Sequence, residues 1–269
     1  CIGIDSMIPI LSVGFESILM NITHFMFGLG SFAGQNAYGK LLSQGISWRT
    51  IYLYIGMFFI ATVILTAIIK VPKMQLTSDK ALNKKDLYKN PLIYMFVIAL
   101  TFGLLAESVV QTWFINYMRE SYSLNPADAS TYASIFFLLF ALGRLFGGFI
   151  VNKTGSSKGL KIFLFSGALC LTTGLQLRQD GLMLIAASGL FISIIFPTMM
   201  VIISSAFKRN SSFAIGLIVT ASNILYVVLF NITGALNDLL GTYAAFYAAP
   251  VSLAGCLIMM IFISRNKNS

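Results

Sequence analysis

Charge is the scarcest property of this sequence. Asp and Glu number nine, Lys and Arg eighteen, and together they make up 10% of the 269 residues. A soluble domain carries about 25%, so there is too little charge here to clothe a water-facing surface. Histidine occurs once, at His24, and cysteine three times, at Cys1, Cys170 and Cys256. An odd, scattered set of cysteines inside apolar runs excludes a disulfide framework and a Cys/His metal site, and no metal or other cofactor is expected. One histidine with no paired ligand motif also argues against a membrane hydrolase or acyltransferase, so no enzyme is expected. Ten-residue segments alternating apolar and polar, the mark of a transmembrane β-barrel, are missing as well. The chain begins at Cys1 with no basic segment ahead of an apolar stretch. No signal peptide is expected, and the chain reads as a fragment.

What the sequence has instead is length of apolar run. Hydrophobic residues make up 57% and the mean hydropathy is +0.84. A helix needs about 20 mostly apolar residues to cross the hydrocarbon layer with its backbone groups paired internally. Such runs are read at Trp48–Ile69, Pro91–Tyr117, Ser130–Val151, Leu160–Leu177, Leu182–Phe207, Phe213–Leu236 and Tyr243–Ile263. Ser17–Leu42 is a more polar, Gly-rich run, and Ile2–Phe15 a partial one. The expectation is an all-α, multi-pass membrane protein with eight full spans and a remnant, embedded in a lipid bilayer.

The net charge of +9 is distributed between the spans in a way that suits membrane topology and leaves no role for nucleic acid. Lys70, Lys73, Lys80, Lys84, Lys85 and Lys89 share one loop. Arg144, Lys153, Lys158 and Lys161 flank the turn after the next two spans, Lys208 and Arg209 the one after that, and Arg265 and Lys267 close the chain. Fourteen of the eighteen cations thus fall on one side, leaving Lys40, Arg49, Arg119 and Arg178 on the other. The positive-inside rule then places the Lys-rich loop, the 151–160 turn, the 208–212 turn and the C-terminus in the cytoplasm. Six spans follow that loop and two and a remnant precede it. Many transporters join two six-helix halves by such a linker. The expected domains are residues 1–70 (later part of a first half), 71–90 (linker), 91–264 (a complete second half) and 265–269 (tail). On that plan about three and a half spans precede Cys1.

The stretch FALGRLFGGFIVNKTGSSKGLK (140–161) resembles a phosphate loop at Gly147–Thr154, but Asn152 stands where the second glycine belongs, and an apolar helical run precedes it instead of a strand. Asn152-Lys153-Thr154 matches a glycosylation pattern on the side expected to be cytoplasmic, so no glycan is expected. A tight basic turn between two helices remains. Its run Gly143-Arg144-x-x-Gly147-Gly148-x-x-x-Asn152-Lys153-x-Gly155-x-x-Lys158 resembles the second-half loop motif of the major facilitator superfamily. Gly148, Lys153 and Gly155 match that motif, and Asn152 replaces its Asp. The resemblance implies a gating latch at Gly143, Arg144, Gly148, Asn152, Lys153 and Gly155, short of one carboxylate.

Other segments resemble the sugar branch of that family, which includes fucose permeases and sodium-dependent glucose transporters. GIDSMIPILSVGFESILMNITHFMFGLGSFAG is similar to its fourth and fifth spans, ESVVQTWFINYM with TYASIFFLLFALGRLFGG to its seventh and eighth, and GLFISIIFPTMM to its tenth. Glu107, Trp113, Tyr117, Ser134, Gly143 and Arg144 stand at matching places. The resemblance implies a secondary transporter of a small polar solute, a sugar above all, coupled to H⁺ or Na⁺. A carrier of a non-sugar organic solute and a transporter-derived receptor without flux stand as alternatives.

Acids inside spans point to function because burying charge in lipid is costly. Glu107 lies mid-span with Gln111 one turn on. It is read either as an ion-coupling or substrate-binding carboxylate or as the structural partner of a donor on another helix. Asp5 and His24 are the other ion-coupling candidates, His24 because it titrates near neutral pH. Asn21, His24, Gly28, Ser31 and Gln35 form a polar seam at helical spacing. Gly30-x-x-x-Gly34 is read as a close helix-packing pair. Thr220, Asn223, Val227 and Asn231 make a second stripe. Amides and aromatic faces suit a sugar, so Gln35, Asn36, Gln111, Trp113, Asn116, Asn223 and Tyr226 are the candidate solute contacts.

Overall fold

The computed structural model describes residues 16–68, 87–207 and 210–266. The fold is helical, and no strand occurs among those residues. In chain order the helices are α1 (Glu16–Ser43), α2 (Trp48–Ile68), α3 (Pro91–Tyr122), α4 (Pro126–Thr154), α5 (Ser156–Gln176), α6 (Leu182–Ile192), α7 (Ile195–Phe207), α8 (Ser211–Leu240), α9 (Thr242–Phe246) and α10 (Ala248–Asn266). A single 3₁₀ turn, Arg178–Gly181, joins α5 to α6. Counting α6–α7 and α9–α10 as interrupted single spans, seven helical segments among the described residues are long and apolar enough to cross a membrane. The 28 residues of α1 are long enough too, but the glycines and amides noted above keep it too polar to join them by composition. The Lys-rich linker lies almost entirely outside the described residues.

Helix ends follow local chemistry. Asn90 and Asn125 each precede a proline, so each helix starts where a missing N–H costs nothing. The Asn90 side chain accepts from the Leu92 N–H at 2.9 Å and that of Asn125 from the Asp128 N–H at 2.9 Å. This cap sets the start of α4 at Pro126, one turn ahead of the apolar run at Ser130. At the other end α3 outruns its apolar stretch by about a turn, through Arg119 and Glu120, and stops at Ser123 in the left-handed conformation. Gly155, with φ +85°, is the one residue between α4 and α5. The turn around which the loop motif was read is therefore a single joint.

The core is centred on α3, which packs against α4, α8, α9 and α10. Phe114 and Tyr117 on α3 meet Phe246 on α9, and Phe96, toward the other end of α3, meets Phe207 on α7. Tyr117 stacks on Phe246 with ring centroids 4.7 Å apart. Cys256 is buried in this core and Cys170 half-buried. α2 stands apart, with Ile51 its one buried residue among those described.

α1 lies antiparallel along α4. A Cβ on Gly28 would come within 2.5 Å of Ala141 Cβ and 2.9 Å of its Cα. Farther along, a Cβ on Gly39 would strike Ser130. Gly28, Gln35 and Gly39 are spaced by seven and four, hence on one line of the helix. The described part of the polar seam read from the sequence, Gly28, Ser31 and Gln35, therefore shares the face that meets α4. The Gly30–Gly34 reading is corrected: nothing lies within 4 Å of a Cβ at either position among the described residues, because both sit off that line. Gly28→Val should cost about 2 kcal/mol through overpacking, whereas Gly30→Ala should be neutral or stabilising through lost backbone entropy. Thermal unfolding of the two purified variants checks the contrast, and equal melting temperatures would refute it.

Candidate functional site

Pro197 starts the site. A helical N–H at position 197 would bond the carbonyl of Ser193, and proline has none to give. The span read as continuous from Leu182 to Phe207 accordingly breaks after Ile192 and resumes at Ile195. The Thr198 N–H then picks up the ladder at Ile194 O, 3.0 Å away. A carbonyl stripped of its partner inside a span must find another donor. Arg144 Nε supplies it, donating to Ser193 O at 3.2 Å.

Small residues let α4 come close enough to do so. A Cβ on Gly143 would collide with the Leu190 carbonyl and Ser193 Oγ, and one on Gly147 with Ile194. Gly143–Gly147 is thus a small-xxx-small pair in close contact, seated on the helix break. Gly148, by contrast, meets nothing within 4 Å among the described residues.

The other end of the guanidinium faces α3. Arg144 Nη2 lies 3.6 Å from Glu107 Oε1, with the two side chains 11% and 15% exposed. Gln111 Nε2 donates to the same carboxylate oxygen at 3.1 Å, as their spacing of four predicts. Arg144 also lies over the Phe140 ring at 4.5 Å and faces Phe27 of α1 at 5.9 Å. One cation thus ties α3, α4 and the α6–α7 break, with an aromatic contact to α1. A cleft of about 360 Å³ adjoins it, walled by Gly148, Phe149, Pro197, Thr198 and Val201.

This geometry corrects one assignment and completes another. Arg144 was counted with the cytoplasmic cations that flank the basic turn. It lies instead ten residues before the end of α4, paired inside the span, with Gly143 packed beside it. Glu107 has the interhelical donor that its structural reading required, and Gln111 belongs to the same cluster. Lys153 is exposed on the last turn of α4 and Gly155 forms the joint.

The remaining candidates do not converge on that cluster. Trp113 and Tyr226 flank Phe230 from α3 and α8, with centroid distances of 6.4 and 5.7 Å. Asn116 is exposed in a groove beside Arg119 and Glu120. Asn223 is exposed and turned back on its own helix, Nδ2 donating to Val219 O at 2.8 Å, and Asn231 does the same to Val227 O at 2.7 Å. The stripe from Thr220 to Asn231 faces away from the core of the described residues. Gln35 and Asn36 are half-buried on α1. Asp5 and the side chains of His24 and Asn152 lie outside the described residues. Ser193 and Pro197 were missed as site residues, although a proline in the middle of the run GLFISIIFPTMM is a visible signal of a freed carbonyl.

The comparisons with known proteins place this bundle of apolar helices in a family. The sequence model of the Major Facilitator Superfamily matches residues 16–177 and 102–269. The chain belongs to that superfamily. Protein TsgA of Shigella flexneri is 25% identical over 236 residues, covering 84% of this chain and 59% of the relative. Protein TsgA of Escherichia coli O1:K1 / APEC matches to the same extent. The crystal structure of the Major Facilitator Superfamily transporter FucP in the outward conformation superposes with a TM-score of 0.61 at 17% identity, covering 80% of this chain and 54% of that one. The chain spans a little over half the length of the relatives it matches.

Proposed function

We propose that this chain is the larger part of a secondary active transporter that moves a small polar solute, a sugar in first place, by alternating access with H⁺ or Na⁺ coupling. The observation that carries the reading is the Glu107–Arg144–Ser193 connection, a charged link at mid-span between α3, α4 and a helix break. Carriers of this kind place their sites at such discontinuities. A proton or cation arriving at the Glu107 carboxylate competes with Arg144 for it, so ion binding and the tie between the helices are linked. Superfamily membership supports a carrier over a membrane enzyme. The likeness of GIDSMIPILSVGFESILMNITHFMFGLGSFAG to the sugar branch, and the amides at Gln35, Asn36 and Gln111, support a hydroxylated solute. The Lys-rich side is assigned to the cytoplasm on the charge asymmetry.

The test is Glu107→Gln in proteoliposomes. Gln keeps the shape and an acceptor oxygen while removing the charge. Gradient-driven accumulation should fall on the order of tenfold, within the span that a coupling free energy of 1–3 kcal/mol covers. Counterflow exchange, which needs solute binding and helix rearrangement but no ion gradient, should persist and serves as the folding control. Unchanged accumulation would exclude Glu107 from coupling.

A further inference from the structure

α3 and α8 run parallel in a fixed register. Thr101 Oγ1 donates to Val97 O at 2.7 Å and lies 3.4 Å from Ser222 O, and Ser222 Oγ donates across to Val97 O at 3.1 Å. Farther along, Trp113 Cζ2 would be 3.9 Å from a Cβ on Gly234, and at the end of the seam Thr242 donates to Glu120. Residue pairs offset by about 121 therefore stand level, which sets Asn237 level with Asn116, one turn beyond Trp113. The half-buried residues Tyr226, Phe230, Gly234 and Asn237 form the stripe of α8 on this side.

Both ends of the seam have their hydrogen bonds made, and its middle does not. Trp113 Nε1 and Asn237 Oδ1 are buried and have no hydrogen-bond partner among the described residues. The main-chain carbonyl of Asn237 is served, accepting from the Gly241 N–H at 2.9 Å, so the unmet acceptor is the side-chain oxygen. One orphan is a donor and the other an acceptor. Buried polar groups in native proteins are overwhelmingly paired, by protein, water or ligand.

We propose that Trp113 Nε1 and Asn237 Oδ1 form a slot for one hydroxyl group of a polyhydroxylated solute. A hydroxyl both accepts from an indole N–H and donates to an amide oxygen, whereas an amine or a carboxylate satisfies one side alone. The Trp113, Phe230 and Tyr226 rings supply an apolar wall beside the slot, and Asn116 lies at the same level on α3 for a second hydroxyl. A water molecule has the same hydrogen-bonding chemistry, and the experiment separates the two. The inference rests on the sugar-carrier reading above and adds Asn237, a residue with no role in it.

Equilibrium binding of radiolabelled D-glucose, D-galactose and L-fucose to the purified full-length protein tests the slot, with uptake of the same sugars measured in parallel. Trp113→Phe keeps a ring against Phe230 and deletes the N–H; Asn237→Leu deletes the acceptor. Each should weaken the Kd of the bound sugar about tenfold, the worth of one good neutral hydrogen bond. The double variant should be little worse than either single one, because both hold the same hydroxyl. An unchanged Kd in Trp113→Phe overturns the slot even where Asn237→Leu does not fold, and it is also the result that a slot filled by water gives. Fully additive losses overturn it as well. In those cases wild-type uptake of the sugar leaves the carrier reading standing. A wild type that neither binds nor carries any of the three sugars overturns both.

Discussion

Arg144→Met is expected to lower the stability of the protein by about 3–5 kcal/mol, the cost of breaking a buried ion pair by removing one partner. For a chain of this size that corresponds to roughly 6–20 °C in melting temperature. Two groups are stranded at once. The Glu107 carboxylate keeps Gln111 and loses its cation, and the Ser193 carbonyl returns to the unpaired condition that Pro197 imposes. Adding Glu107→Gln to Arg144→Met should recover the larger part of the loss, since the surviving amides can bond each other without any charge. Arg144→Lys should recover little, because one ammonium cannot reach both a carboxylate and a carbonyl on different helices as a planar fork does. A thermal-shift series on the four variants decides it. Losses that simply add across Arg144→Met and Glu107→Gln would show that the two side chains do not act as a pair.

Gly143→Val is the second large effect. The added carbons would meet the Leu190 carbonyl and the Ser193 hydroxyl, which belong to the helix break and not to the free end of a long side chain. Main chain can move aside only by shifting α6 away from α4, and that shift pulls Ser193 off Arg144. A cost of about 3 kcal/mol, the upper part of the usual overpacking range, is therefore expected, together with loss of most solute uptake. Gly148→Val, five residues later and facing open space, should be close to neutral for stability. If both variants melt alike, the close seating of α4 on the break is wrong.

Part of this architecture is legible in the sequence. The apolar runs locate the spans because lipid forces helices upon them, and the seven helices agree with those runs to within a turn or so. The disagreements have local causes. Asn125-Pro126 starts α4 early because a cap acts on polar residues that hydropathy discounts. The apolar content of α3 ends near Tyr117, yet the helix continues to Tyr122 because backbone bonding does not require an apolar side chain. The break at Ser193 needed the proline to be read for the carbonyl it frees, and hydropathy cannot register that. Of the site, Glu107 and Gln111 were legible from a charge out of place and a spacing of four. Arg144 was misplaced because a cation near a basic turn looks like a topology marker until its partner is seen 37 positions away in sequence. Asn237 gave no signal at all, being one more amide on an apolar helix. Its interest comes from what it fails to touch.

The single-residue joint at Gly155 has a mechanical consequence. With one residue outside helical geometry between Thr154 and Ser156, those two ends stay tethered within about 7 Å, two Cα steps, in any arrangement the protein adopts. α4 is 29 residues long, an arm of about 43 Å at 1.5 Å per residue. Each degree of opening at Gly155 therefore carries the Pro126 end about 0.75 Å relative to α5. α4 and α5 form a pair of compass legs, still at the pivot and wide-swinging at the tips.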